Sequence, residues 1–169
     1  MHKAVMCARS KFFYKAMTTD MKEKRDGVIQ LPEAIKLVRC LIEFCYTGNY
    51  KYDDKGRSVA ALLHHVNMNA MADKYDVAGL SDIAGENWQK NVTKIASDIY
   101  HMKAEEQLKE WRQMILLIYE TTTKRDNPLR RAVSYTTRHW DLATTKPDRE
   151  EWYEMMSKMP DFGVDYMLP

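Results

Sequence analysis

Between Pro32 and Gly48 the chain carries apolar residues on more than one helical face. Ala34, Leu37, Val38, Leu41 and Cys45 recur at helical spacing, and Ile35, Ile42, Phe44 and Tyr46 widen the stripe. A helix of this kind is expected to be buried on most sides, so the rest of the chain has to supply elements that wrap it. Pro32 suits a first helical turn because its fixed φ is already helical. Thr47-Gly48-Asn49 stops the helix, with Gly48 in the left-handed position that follows a helix end.

The flanking sequence supplies further helices and little else. His2 to Met17 reads as one helix with an aromatic end at Phe12 and Phe13. Thr18 to Gly27 is a polar loop with room for one helical turn. Val28-Ile29-Gln30-Leu31 is a β-branched run closed by Pro32 and reads as a short strand, and Tyr50-Lys51-Tyr52 as a short edge strand. Val59, Leu62, Leu63, Val66 and Ala70 mark a helix running to about Tyr75; Val77-Ala78-Gly79 breaks it, and Leu80, Ile83, Ala84 and Trp88 mark the next. After Asn91 no strand signal follows. Ile95, Ile99 and Met102 suggest a short helix, and Leu108, Trp111, Ile115, Ile118 and Tyr119 a strongly amphipathic one. Leu129 and Val133 lie on another helix behind Pro128, and Pro147 with its acidic followers opens a last one. Residues 160–169 read as irregular. The pattern is a helix-rich α+β domain over residues 1–91 followed by an all-helical extension over residues 92–169.

Composition narrows the function classes. The 169 residues are 45% hydrophobic and 30% charged, which suits a globular domain with a solvated surface. A net charge of +2 is too small to argue for a nucleic-acid binder. Three cysteines, Cys7, Cys40 and Cys45, form no disulfide framework and suit reduced thiols in the nucleus or cytoplasm. Lys3, Arg9, Lys11 and Lys15 interrupt any leader-like run, and the longest strongly apolar stretch, Met114 to Tyr119, falls far short of the ~20 residues a membrane helix needs.

Three stretches carry a resemblance. His2-Lys3-Ala4-Val5-Met6-Cys7-Ala8-Arg9-Ser10-Lys11-Phe12-Phe13 resembles the first helix of BTB/POZ domains, with their His-Lys pair followed by Ser and Phe. Val28 to Leu31, the helix after it, and Tyr46-Thr47-Gly48 follow the family's order of strand, helix and Tyr-Thr-Gly turn. Ala72-Asp73-Lys74-Tyr75 is similar to the family's turn before its next helix. The flavour is that of single-domain fungal members, and the likeness covers about residues 1–91. It implies a BTB/POZ-like core lacking its first β-hairpin, since that hairpin normally precedes the His-Lys pair and here Met1 does. Asn69 stands where the family often has an aromatic.

The resemblance implies a protein–protein interaction module, either a substrate adaptor for a cullin-based ubiquitin ligase or an oligomerisation scaffold of a transcription-associated protein. Cullin-binding members carry a hydrophobic-x-Glu motif in the loop before the strand, and Met21-Lys22-Glu23 falls there. A flexible methionine can fill a groove while a glutamate fixes orientation. Asp73, Lys74 and Tyr75 are the second candidate contact set, set against packing of Tyr75 at a helix end. Homodimerisation is a further family expectation, put in question by the missing hairpin.

Other chemistries find less support. His64 and His65 are adjacent and point about 100° apart on a helix, and Cys40 and Cys45 are poorly aligned, so no metal site is read. Ser10 and Cys7 lie near His2 on a face the family buries; no nucleophile elbow, phosphate loop or HExxH is present, and neither a catalytic set nor a cofactor is expected. Lys124, Arg125, Arg130, Arg131 and Arg138, with Tyr135, His139 and Trp140 nearby, read as a solvated face before a nucleic-acid surface. Met155, Met156 and Met159 with Trp152 read as sealing the last helix onto its neighbours.

Overall fold

The computed structural model describes residues 2–20, 22–52, 59–94, 105–122, 126–142 and 149–167. In chain order the helices are α1 (Lys3–Arg9), α2 (Lys11–Thr18), α3 (Lys22–Asp26), α4 (Ile35–Thr47), α5 (Val59–Lys74), α6 (Leu80–Lys94), α7 (Glu105–Thr121), α8 (Pro128–His139), α9 (Arg149–Lys158) and α10 (Pro160–Met167). The predominantly helical reading is correct. The β component shrinks, among the described residues, to one isolated antiparallel bridge between Ser10 and Val77.

The wrapped helix is α5 rather than α4. Leu62 and Val66 of α5 belong to a C-terminal core with Trp88 and Val92 of α6, Trp111, Ile115 and Ile118 of α7, and Leu129 and Val133 of α8. Met68, Met71 and Ala72 of the same helix belong to an N-terminal core with Met6, Phe13, Leu41, Phe44 and Leu80. α4 buries Cys40, Leu41, Phe44 and Cys45 on one side, while Ile35 stays 67% exposed. Gly48 ends α4 at φ 77°, as its position predicts.

Two expected strands are absent. Val28 to Leu31 make no hydrogen bond with any described residue, and Tyr50 to Tyr52 also lie outside any ladder. A strand needs a partner ladder, and β propensity without one yields only side-chain packing: Ile29 and Leu31 lean on the N-terminal core. The opening helix is broken in two. Ser10 sits in extended backbone, caps α2 by accepting from Phe13 N–H at 3.1 Å, and donates its hydroxyl to the Tyr75 carbonyl at 2.5 Å. Lys11 N–H to Asp76 O and Ala78 N–H to Arg9 O complete that seam. Residues 160–167 are helical instead of irregular; Pro160 is tolerated because it opens α10. The helix expected around Ile95, Ile99 and Met102 lies outside the described residues.

α6 and α8 meet at very close range. A Cβ on Gly85 would stand 2.6 Å from Pro128 Cβ, so glycine is required by the approach of a rigid ring. Beside this contact the fully buried Asn69 accepts from Ser81 Oγ at 2.6 Å and from Asn127 Nδ2 at 3.3 Å, while Asn127 Oδ1 caps α8 through Leu129 N–H. An amide in place of an aromatic thus joins α5, α6 and the start of α8.

Behind α5, Tyr50 bonds His65 Nδ1 at 2.8 Å, Asn91 donates to His65 Nε2 at 2.7 Å, and Tyr52 stacks on His64 at 4.0 Å. Burial pulls both imidazoles down to about 4, helped by the Lys36 charge at His64 and by His64 at His65.

Two outcomes follow from this packing. Gly85→Ala gains helix propensity of about 1 kcal/mol but must push Pro128 away, so denaturant unfolding is expected to show a net loss of about 1–2 kcal/mol; a more stable variant would contradict the close contact. The histidines are neutral when folded and protonate more readily when unfolded. Their contribution is therefore complete above about pH 6.5 and is lost as pH falls toward 4, by up to about 3 kcal/mol each. His64→Phe keeps the stack on Tyr52 without the titration, and its stability should fall less between pH 6.5 and 4.5 than that of the natural chain; equal falls would contradict the assignment.

Candidate partner-docking surface

α3 is a five-residue helix, Lys-Glu-Lys-Arg-Asp, that buries no side chain. It is too short to persist alone. It lies against α2 and leads through Gly27, at φ 66°, into the unpaired segment 28–34. Lys22 and Asp26 are exposed and Glu23 is half-buried. With Val28 and Gln30 they line a polar notch of about 350 Å³. Val28 is 59% exposed, so an apolar side chain stands beside two carboxylates and an ammonium. That combination suits a protein partner offering an apolar group and a donor together. Met21 lies outside the described residues.

The second candidate set lies elsewhere, at the end of α5. Asp73 is exposed. Lys74 donates to Glu33 Oε1 at 2.5 Å, and the Tyr75 hydroxyl to Glu33 Oε2 at 2.5 Å. Tyr75 is 2% exposed, stacked on Phe13 at 5.7 Å and met edge-on by Phe12 at 5.0 Å. Burial raises the Glu33 carboxyl, but the bonds from Lys74 and Tyr75 outweigh it and hold its pKa below the usual carboxylate value. Sequence reading passed over Glu33. Beside Pro32 it looks like an ordinary first-turn acid, and its partners are 41 and 42 residues away. The structure thus connects the end of α5 to the segment following α3 without bringing Asp73, Lys74 and Tyr75 to the α3 notch.

An apolar groove of about 320 Å³ opens on the other side of that segment, between Phe13, Ile29, Leu31, Val38 and Ile42, with the exposed Ile35 at its rim.

The residues weighed for other chemistries have structural employment. Ser10 is 2% exposed and fully engaged by backbone, Cys7 points at the Phe13 carbonyl, and His2 pairs with Tyr46. No group of three or more His, Cys, Asp or Glu among the described residues could hold a metal ion. No described helix is long and apolar enough to cross a membrane. The basic cluster is divided. Arg130 is buried, donates to Thr122 Oγ1 at 2.8 Å and to the Tyr119 and Thr122 carbonyls, and lies over the Tyr119 ring, thereby capping α7. Arg138 donates to Tyr166 O at 3.2 Å, Arg131 is exposed, and Lys124 and Arg125 lie outside the described residues. Trp152 and Met155 are buried, with Met156 and Met159 packed beside them, so this stripe seals α9 onto the C-terminal core.

Comparison with known proteins agrees with the motifs. The family model for the BTB/POZ domain matches residues 1–92. A BTB/POZ domain-containing protein of Arabidopsis thaliana is 34% identical over 84 residues, a match covering 48% of this chain and 37% of that protein. No solved structure matches the chain. Over more than half of its length, then, from the α1 His-Lys pair to the end of the core region of α6, this chain belongs to the BTB/POZ family and carries that family's protein–protein interaction module.

Proposed function

We propose that the chain is an adaptor that holds a protein partner on α3 and the notch beside it, and that this partner is the N-terminal region of a cullin scaffold. One observation carries the reading. A solvated helix with no buried side chain is kept folded against α2 and presents Glu23 next to an exposed valine and a polar notch. Segments that bury nothing in the free protein and still hold a defined shape are suited to burying something in a complex. Met21 would supply the flexible apolar anchor and Glu23 the charged contact that sets register. In this reading the chain works in the nucleus and/or cytoplasm, and the helices after α6 are the surface left for a substrate.

A second reading, a self-association module, draws on the open groove beside Ile35. Exposed apolar surface of that kind is covered in many homodimers. Light scattering at tens of micromolar separates the two, because the adaptor reading holds for a monomer and the scaffold reading does not.

The adaptor reading predicts that Met21→Ala/Glu23→Ala loses at least about tenfold in affinity for a purified cullin N-terminal region, about 1.4 kcal/mol or more, with little change in melting temperature. Calorimetric titration of both proteins checks it. Equal affinities would remove these residues from the interface.

A further inference from the structure

Segment 22–34 poses a mechanical question. α3 buries no side chain, and Val28 to Leu31 form no hydrogen bond with a described residue. Ile29 and Leu31 touch the N-terminal core but are only partly buried. Apolar contact of this kind resists removal from the surface yet allows sliding along it, because it has no directionality. Among the described residues, Ala34 O accepts from Leu37 and Val38 where the segment runs into α4, and the one polar tie from residues 22–33 to another element is Glu33, which receives Lys74 and Tyr75 together.

The other end of that tie is anchored. Tyr75 is stacked on Phe13, and its carbonyl accepts from Ser10 Oγ at 2.5 Å, the same hydroxyl that caps α2. α2 is the helix on which α3 rests. Glu33 therefore closes a loop of contacts from α2 through Ser10 and Tyr75 to segment 28–34 and back through α3. Two charge-assisted bonds to one carboxylate fix direction as well as distance. The Tyr75 hydroxyl is engaged in this clamp and its ring is buried, while Lys74 points its ammonium at Glu33 from a half-exposed side chain.

We infer that Glu33 is the positioning residue of the docking segment, and that Lys74 and Tyr75 serve partner binding through Glu33 instead of touching the partner. The inference rests on the reading of α3 as the docking element, and it goes beyond it by identifying what sets the position of that element. Asp73, exposed at the same turn, takes no part in the clamp.

Limited trypsin digestion of the full chain tests the clamp without any partner, because Lys22, Lys24 and Arg25 lie in α3 itself. Glu33→Ala removes both bonds. Tyr75→Phe removes one and leaves the ring in the core, which guards against a Glu33 variant that fails to fold. Val133→Ala, in the C-terminal core, serves as a control of comparable loss in melting temperature. Cleavage after Lys22, Lys24 and Arg25 is expected to rise about tenfold in Glu33→Ala, and less in Tyr75→Phe, relative to the control. The cullin N-terminal region is then titrated onto each variant. Faster cleavage together with weaker binding supports the inference. Cleavage no faster than in the control overturns the clamp, whatever the binding. Faster cleavage with binding unchanged from the natural chain leaves the clamp in place and overturns the docking role of the segment it holds.

Discussion

A helix buried over most of its surface cannot rest on one neighbour, and α5 is that helix here. Between Ala61 and Ala72 it turns Leu62 and Val66 to one core, Met68 and Met71 to the other, and His64, His65 and Asn69 to polar seams between them. A helix of this kind is stable only when several neighbours cover it, and on α5 a stripe through Ala60, Leu63, Asn67, Ala70 and Lys74 stays exposed or half-buried. α4 packs on one side, in a core that Met6 of α1 and Phe13 of α2 complete; α6 and α7 pack on the other, where Asn127 at the start of α8 bonds Asn69. The BTB/POZ match ends at residue 92, but the packing continues: Trp88 and Val92 of α6 share a core with Trp111 and Ile115 of α7. α7, beyond the match, is thus part of the cover of α5, and α8 to α10 pack onto the same C-terminal core.

The side proposed for docking shows the opposite balance. α3 and residues 28–31 have few buried contacts and little hydrogen bonding outside the short helix itself, so the stability of the fold reaches them mainly through Glu33 and the seam at Ser10. Such an arrangement separates two demands. The cores supply cooperative stability, and a low-density segment is left available for a partner while one clamp sets its position. The charges that could have made the surface indiscriminate are partly withdrawn: Arg130 lies in the core as a cap for α7, and Arg112 pairs with Glu151 and lies over Trp152.

Much of the helical framework could be read from the chain because it is written in local periodicity. α4 with its Gly48 stop, α5, α6 and α7 each announce themselves within their own residues. The family was legible from the order of three motifs, none sufficient alone. What escaped was decided at long range. Ser10 breaks the opening helix because a carbonyl 65 residues away takes its hydroxyl. Val28 to Leu31 have strand propensity but no described ladder to join, a matter of tertiary context that no propensity contains. Residues 160–167 read as irregular and form a helix that Pro160 opens as a first-turn residue. The Met21-Lys22-Glu23 and Asp73-Lys74-Tyr75 stretches were singled out by motif, whereas Glu33, which connects the end of α5 to the segment after α3, carries no local mark.

The central claim is that one helix couples two cores into a single cooperative unit, and the residues themselves provide separate probes. Trp88, Trp111, Trp140 and Trp152 all report on the C-terminal core, while Cys40 and Cys45, buried and with thiol pKa raised by that burial, report on the N-terminal one. Equilibrium denaturant unfolding followed by tryptophan fluorescence and by the reactivity of these thiols should give coincident midpoints. Thiols that become reactive while the tryptophan signal is still native, or the reverse order, would show that the two cores stand independently and that α5 does not join them.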